Sequence, residues 1–403
     1  MPNDTGQFTV GGVVLDRPFA ISRLGHFGFS VDVPMSECLE FYSNVLGLRI
    51  SDFRDLSEAV EDPAIFDGLS DTNGVFLAHG TEHHSFALFP REALERFVGA
   101  AEPDININQI TWQVGSLKEV HDAALWFEDL GLTIARLGRD SPGSNWNAYP
   151  VNVEGHINEV FYGMEQIGWS GFSKPRTMSV EVDTLPSLPQ SSESDEVISA
   201  INSGVDLNSG TRFVDPLPSE HEVEGIVMPR PFKITKVGPA RMFVHDIGKM
   251  ESFYVETMGL KVTERIYHSE HECVFLRANT EHHSIALYPI ALRAELGLKR
   301  RCLSFGFQIA SYSQLKAATE FLEQRSVKRV SLPKELFPGL GYSAMFEDPD
   351  GNLIQLYNYM EQVGWDGRPR PADQRTKLLN PWPDSLAAES DQDCGEVFLG
   401  PWC

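Results

Sequence analysis

The chain has 403 residues, with 33 Lys and Arg against 57 Asp and Glu, a formal net charge of −24, and 42% hydrophobic and 22% charged residues. That length allows two or more domains, the apolar fraction is that of a globular protein, and the excess of acid excludes a nucleic-acid partner, since neutralising phosphates takes clustered Lys and Arg. No apolar run approaches the ~18 residues of a membrane span, MPNDTGQFTVGG lacks the regions of a signal peptide, and Cys38, Cys273, Cys302, Cys394 and Cys403 show no CxxC spacing, so the sequence predicts a cytoplasmic protein without disulfides, with neither a membrane nor nucleic acid as partner.

In chain order, period-two alternation predicts a strand over 24–33, and apolar Cys38, Phe41, Tyr42 and Val45 predict a helix over 35–46 that Gly47 stops. Strands follow at 48–53, 74–79 and 84–89. The order then restarts: strand 107–114, helix 117–130 ended by Gly131, and strands 132–137, 145–150 and 157–163. Residues 170–222 read as a largely irregular linker, because TLPSLPQSSESDE is too polar to order itself, with DEVISAINSG as one short helix. The pattern returns from Ala240 to Tyr357, and the DPDG at 348–351 marks a turn. A Pro-rich acidic tail begins at Gly367, and its apolar end EVFLGPWC is expected to dock on the body or on another subunit, which leaves a homo-oligomer open.

The return is a true repeat. GGVVLDRPFAISRLG recurs as EGIVMPRPFKITKVG, GTEHHSFALFP as NTEHHSIALYP, and EVFYGMEQIGW as QLYNYMEQVGW, in the same order along the chain. The reading is therefore α+β, with four βαβββ modules in two tandem paired domains: 11–169, the linker 170–222, 223–366, and the tail 367–403.

Two such modules side by side curl into one open barrel, and side chains from their first and last strands can converge inside it. In the first copy these positions offer His26, Gln109 and Glu159, with His83, His84, Asp140 and Tyr149 nearby; residues two apart in a strand share a face, so Thr111 accompanies Gln109. Glu159 lies among apolar neighbours and needs a cation, a donor or a metal there; Arg139 is an alternative partner. Because EHHS occurs in both copies, His83 and His282 are read as structural, and Asp140 before Ser-Pro-Gly has an Asx-turn as its simplest role.

LGHFGFSV, EHHSFAL, GRDSPGSNWNAY and a glycine turn leading to a strand glutamate resemble the type I extradiol ring-cleaving dioxygenases of the vicinal oxygen chelate superfamily, the paired βαβββ fold that also includes glyoxalase I and the bleomycin resistance proteins. The resemblance implies half-barrel domains and a metal, Fe(II) first, with Mn(II) or another divalent ion as the alternative. It places ligands at His26, Gln109 and Glu159, an acid–base histidine at His84, a substrate-binding tyrosine at Tyr149 and a further active-site residue at Asp140. The substrates it implies are O2 and a catechol or related aromatic diol. Two positions depart from the family pattern: Gln109 and Asp140 stand where the family has histidine. Gln109 admits a glyoxalase-like metal-dependent isomerase or lyase, and the gap in the ligand set admits a protein that only binds an aromatic ligand. In the second copy Pro239, Ser304, Met345 and Gln355 replace His26, Gln109, Tyr149 and Glu159, so a single site in the N-terminal domain is expected.

Overall fold

The computed structural model describes residues 6–99, 102–143, 145–179, 181–364 and 366–386. Eight strands of the first lobe form one sheet: β1 (Ile21–Val31), β2 (Arg49–Asp55), β3 (Asn73–Ala78), β4 (Phe86–Pro90), β5 (Ile107–Val114), β6 (Ile134–Arg139), β7 (Trp146–Pro150) and β8 (Asn158–Tyr162). Their order is β2-β3-β4-β1-β5-β8-β7-β6. β1 runs parallel to β4 and β5 parallel to β8, and the two modules join where β1 meets β5 antiparallel. The second lobe repeats this with β9 (Ile234–Val244), β10 (Lys261–His268), β11 (His271–Arg277), β12 (Ile285–Pro289), β13 (Cys302–Ile309), β14 (Arg329–Val330), β15 (Ser343–Glu347) and β16 (Leu353–Tyr357), ordered β10-β11-β12-β9-β13-β16-β15-β14. The α+β architecture of four βαβββ modules read from the sequence is the one observed.

The helices depart from expectation in detail. The one expected over 35–46 is α-helical only at Met35–Leu39 and widens into a π-helical turn at Glu40–Val45, and the second copy does the same at Ile247–Ser252 and Phe253–Thr257. A helix at Arg91–Val98 follows β4, and Ile290–Glu295 is its counterpart after β12. The short helix expected in the linker is Glu193–Asn202, opened by a Ser192–Asp195 capping box. That stretch is pinned to the first lobe, because Glu196 accepts from Arg139 at 2.8 Å and from Lys174 at 2.8 Å. The tail lies on the second lobe as far as Leu386, with Trp382 against Tyr342 at 5.4 Å between ring centroids, and EVFLGPWC lies outside the described residues. Cys38, Cys273 and Cys302 are buried free thiols, and no helix among the described residues is long and apolar enough to cross a membrane.

One core spans both lobes. Phe27 and Phe29 of β1 reach Phe305 of β13 at 6.4 and 4.7 Å, and Phe86 stacks on Phe305 at 5.4 Å. The turn before each last strand ties the lobes together. Glu154 accepts from the Asp246 backbone at 2.8 Å and from Arg301 at 2.7 Å; reciprocally, Asp350 accepts from the Asp32 backbone at 3.0 Å, and Tyr42 donates to Asp348 at 2.5 Å. The DPDG segment is therefore more than a turn signal, since its carboxylates reach across to the other lobe.

Burial also sets the acid response. It holds His156 down to about 3, aided by Arg301, and His79 down to about 4, aided by Arg23; His283 is pushed well below its ordinary value by burial and by Arg241. Burial raises Asp140 and Asp348 to about 6. The unfolded chain binds protons on these three histidines below about pH 6.5. The folded chain does not, so that part of the stability is complete above this pH and is lost as pH falls. The two raised carboxylates act oppositely between about pH 6 and 4, over a smaller total shift. The unfolding temperature is expected to fall by roughly 5–10 °C from pH 7 to pH 5; calorimetry across that range checks it, and a flat or rising profile contradicts it.

Candidate metal centre

The site is built where β1 crosses β5. Leu24 faces Trp112 and Phe27 faces Ile110, so Gly25 and His26 together stand opposite Thr111. This is a β-bulge, a device that turns one side chain away from its regular direction. Thr111 holds the bulge from both sides, accepting from the His26 backbone at 2.6 Å and donating to its carbonyl at 3.0 Å. Gly25 has to be glycine, because a Cβ there would stand 2.3 Å from the Phe161 ring. On the far side of β5, Glu159 of β8 lies in register with Thr111 and shares its face.

His26 Nε2 and Glu159 Oε2 consequently lie 3.1 Å apart, with side chains 2% and 0% exposed. Asn145, in the turn before β7, donates to Glu159 Oε1 at 2.5 Å. Glu159 Oε2 and His26 Nδ1 are buried and have no hydrogen-bond partner. A carboxylate oxygen desolvated to this degree calls for a positive charge. Arg139 does not supply it, since that guanidinium is committed to Glu196. Two ligand atoms held about 2.1 Å from one ion at right angles stand roughly 3 Å apart, so the pair fits as two donors of a divalent ion. Gln109 is on the correct strand, two residues from Thr111 and opposite Gly28, and is half-buried. No cluster of three His, Cys, Asp or Glu suited to a metal occurs among the described residues; the Gln109 side chain carries an amide oxygen.

The remaining predicted residues surround this pair. The His84 ring stacks edge-on against His26 at 4.4 Å, and burial, together with His26 and His83, pushes its pKa well below the ordinary value, so it is a neutral imidazole at neutral pH. His83 Nδ1 and His84 Nδ1 are 2.9 Å apart, and the His83 backbone donates to the Glu165 carbonyl at 2.8 Å. His282 repeats both contacts, at 3.0 Å to His283 and 2.8 Å to the Glu361 carbonyl, which is the structural use expected of the first histidine in each EHHS. Asp140 makes no simple Asx-turn: Arg136 binds one of its oxygens at 2.5 Å and Tyr149 donates to the other at 2.9 Å. Burial raises Asp140 to about 6 against the pull of Arg136, and Tyr149 is pushed well above its ordinary value by burial and by the nearby carboxylates of Asp140 and Glu159.

Asn145 and Arg136 escaped the sequence reading. Asn145 stood in the GRDSPGSNWNAY stretch, but its partner is fourteen residues away on another strand. Arg136 meets Asp140 at an i,i+4 distance that the strand pattern does not advertise.

The register of the second lobe equates its positions with the first without ambiguity. Ala240 pairs with Ile285 as Phe27 pairs with Phe86, Arg241 with Ser304 as Gly28 with Gln109, and Gly306 with Gln355 as Thr111 with Glu159.

Residues 236–356 match the family model described as Glyoxalase/Bleomycin resistance protein/Dioxygenase superfamily. No curated protein matches the chain by sequence. Among solved structures, the 2,3-dioxygenase LapB from Pseudomonas sp. KL28 aligns at TM-score 0.55 with 16% identity, covering 87% of this chain and 96% of that one. The Mn(II)-bound glyoxalase from Novosphingobium aromaticivorans aligns at TM-score 0.53 with 16% identity, covering 92% and 99%. A catechol 2,3-dioxygenase aligns at TM-score 0.52 with 15% identity, covering 94% and 98%. At these identities the likeness is one of fold.

The bulge geometry makes a sharp demand on Gly25. Gly25→Ala is expected to cost about 1–3 kcal/mol through overpacking against Phe161, seen as a lower midpoint in denaturant unfolding, whereas Gly155→Ala, where a Cβ meets nothing within 4 Å and only the positive φ of 84° resists it, is expected to cost less.

Proposed function

From a chain whose second lobe is a Glyoxalase/Bleomycin resistance protein/Dioxygenase superfamily domain and whose first lobe repeats that fold, we propose that the first lobe is a metal-dependent dioxygenase of the extradiol type, acting on a catechol or related aromatic diol. The observation that carries this reading is the buried His26–Glu159 pair, 3.1 Å apart with an unsatisfied carboxylate oxygen. His26 and Glu159 would hold the ion, with Gln109 as the third protein donor; Fe(II) is the first choice and Mn(II) the second. The two oxygens of the diol would chelate an ion held there, and the ion would supply a lowered pKa for a hydroxyl.

The chain's own residues supply the rest. His84, packed edge-on against His26, would take the second hydroxyl proton and return it later; burial lowers its basicity, so the acidity that the ion gives the hydroxyl has to offset this. Asn145 fixes the Glu159 carboxylate so that one oxygen stays directed at His26. Arg136 and Tyr149 share the Asp140 carboxylate, and Tyr149 can redirect its hydroxyl to a substrate oxygen while Arg136 keeps Asp140 satisfied. Both atoms of O2 would end in the product as the ring C–C bond beside the diol breaks.

One feature favours a second reading. Gln109 gives a neutral amide donor in place of an imidazole, which suits a Lewis-acid isomerase or lyase of the glyoxalase kind as well as it suits redox chemistry.

Elemental analysis of the purified chain followed by oxygen-electrode assays on a catechol panel, in air and under nitrogen, separates the readings. About one divalent ion per chain, oxygen uptake with ring-cleaved product, and loss of at least 100-fold in kcat/KM in His26→Ala and Glu159→Gln are expected. Anaerobic turnover selects the isomerase reading, and a metal-free protein that cannot be loaded and does not turn over overturns both. Asn145→Ala is expected to weaken metal affinity by about 10–100-fold, measured by competition with a chromophoric chelator.

A further inference from the structure

The second lobe has lost every counterpart of the ligand set, yet it is not filled in. A cavity of about 310 Å³ opens beside β15 and β16, walled by Phe337, Met345 and Trp382, with Tyr342, Ser343 and Gln355 contributing polar atoms. That volume falls within the range of small-molecule sites, about 300–1,000 Å³.

A divalent ion has no place there. Arg241, the counterpart of Gly28, is fully buried, with its guanidinium 3.3 Å from Ser304 Oγ and 3.2 Å from His283 Nε2. Ser304 and His283 stand for Gln109 and His84, so a fixed cation occupies the space between those two positions and repels any other. Its charge lies over the Phe337 ring at 5.2 Å, behind the cavity wall. The Tyr149 hydroxyl of the first lobe is gone as well: Met345 replaces that residue and pairs with Val330.

One polar group in the cavity is left unserved. Gln355 is 2% exposed; its Nε2 donates to Ser343 Oγ at 3.1 Å, and its Oε1 is buried without a partner. A buried acceptor with no donor calls for one from a ligand. Around it the walls are mixed, with Phe337, Met345 and Leu378 beside Ser331 and Asn380, and Trp382 of the tail closes one side against Tyr342. In a chain of net charge −24, the charged side chains lining the cavity are both cationic, Arg329, which is paired with Glu323 at 2.7 Å, and Lys334.

We propose that the second lobe is a metal-free binding site for a small aromatic acid bearing a hydroxyl group. The ring lies between Phe337, Met345 and Trp382, the hydroxyl donates to Gln355 Oε1, and the acid group faces Lys334 and Arg329. This assignment does not depend on the first lobe holding an ion.

Calorimetric titration of the full chain with 4-hydroxybenzoate, with and without EDTA, tests it. One saturable site is expected that is indifferent to EDTA and to His26→Ala, and benzoate, which lacks the hydroxyl, should bind about tenfold more weakly. Gln355→Leu should abolish that preference, and Met345→Trp should abolish binding by filling the cavity. Lys334→Glu, an exposed change that the fold tolerates, should weaken both acids and leave phenol unaffected, and it keeps the test open should Gln355→Leu fail to fold. The proposal is overturned by the absence of saturable binding, by binding that disappears with EDTA or His26→Ala, by a hydroxyl preference that survives Gln355→Leu, or by affinities that Lys334→Glu leaves unchanged.

Discussion

The geometry of the first lobe depends on one irregularity, the bulge at Gly25–His26. A regular ladder between β1 and β5 would alternate side chains strictly, so that placing Phe27 and Phe29 in the interlobe core would fix the direction of every other residue on the strand. The pair carries three register shifts, and the one between Leu24 and Phe27 sets two residues opposite Thr111 and breaks that alternation there. Thr111 replaces the lost ladder bonds with its hydroxyl, which serves both the N–H and the C=O of His26. The imidazole is thereby delivered to Glu159, which stands beside Thr111 on the same face.

The second lobe has the same bulge between Val237 and Ala240 and uses it differently. Gly306 takes the place of Thr111, and the Tyr357 hydroxyl donates to the Gly238 carbonyl at 2.9 Å, a bond that Phe161 cannot make in the first lobe. The contrast is one of charge. The first lobe buries an anion, Glu159, with no fixed cation on its free oxygen; the second buries a cation, Arg241, with neutral acceptors around it. Each arrangement leaves something for a ligand to satisfy, and the signs differ. The first calls for a positive ion. The second excludes one and leaves an amide oxygen, Gln355 Oε1, waiting for a donor.

Much of this was legible in the sequence because duplication writes the fold twice. Alternation and glycine stops marked the strands and helices, and the ordered repeats fixed the module count, which the two matching sheets repeat. His26 and Glu159 were legible as a pair because a strand carboxylate among apolar residues is conspicuous. Other features were hidden for physical reasons. The helix Arg91–Val98 has only two turns, too few for its apolar Ala93, Leu94, Phe97 and Val98 to stand out as a stripe. The π-helical turns depend on local hydrogen bonding that composition does not encode. Arg241 reads as an ordinary strand residue until the register places it opposite Ser304, and Asn145 reads as a turn residue until β7 and β8 bring it to Glu159.

A lobe that has lost its ligands would ordinarily be free to drift, and the interface explains what holds this one in place. The carboxylate in the turn before the last strand of each lobe binds the backbone just past the first strand of the other, Glu154 at Asp246 and Asp350 at Asp32. That turn leads directly into the strand carrying Glu159 in the first lobe and Gln355 in the second. His156, two residues past Glu154, is buried and kept neutral by that burial and by Arg301. A change that relaxed the second lobe would therefore shift the start of β8 and loosen the 3.1 Å pair at its centre. The two lobes are thus joined at the turns that lead into the strands carrying Glu159 and Gln355.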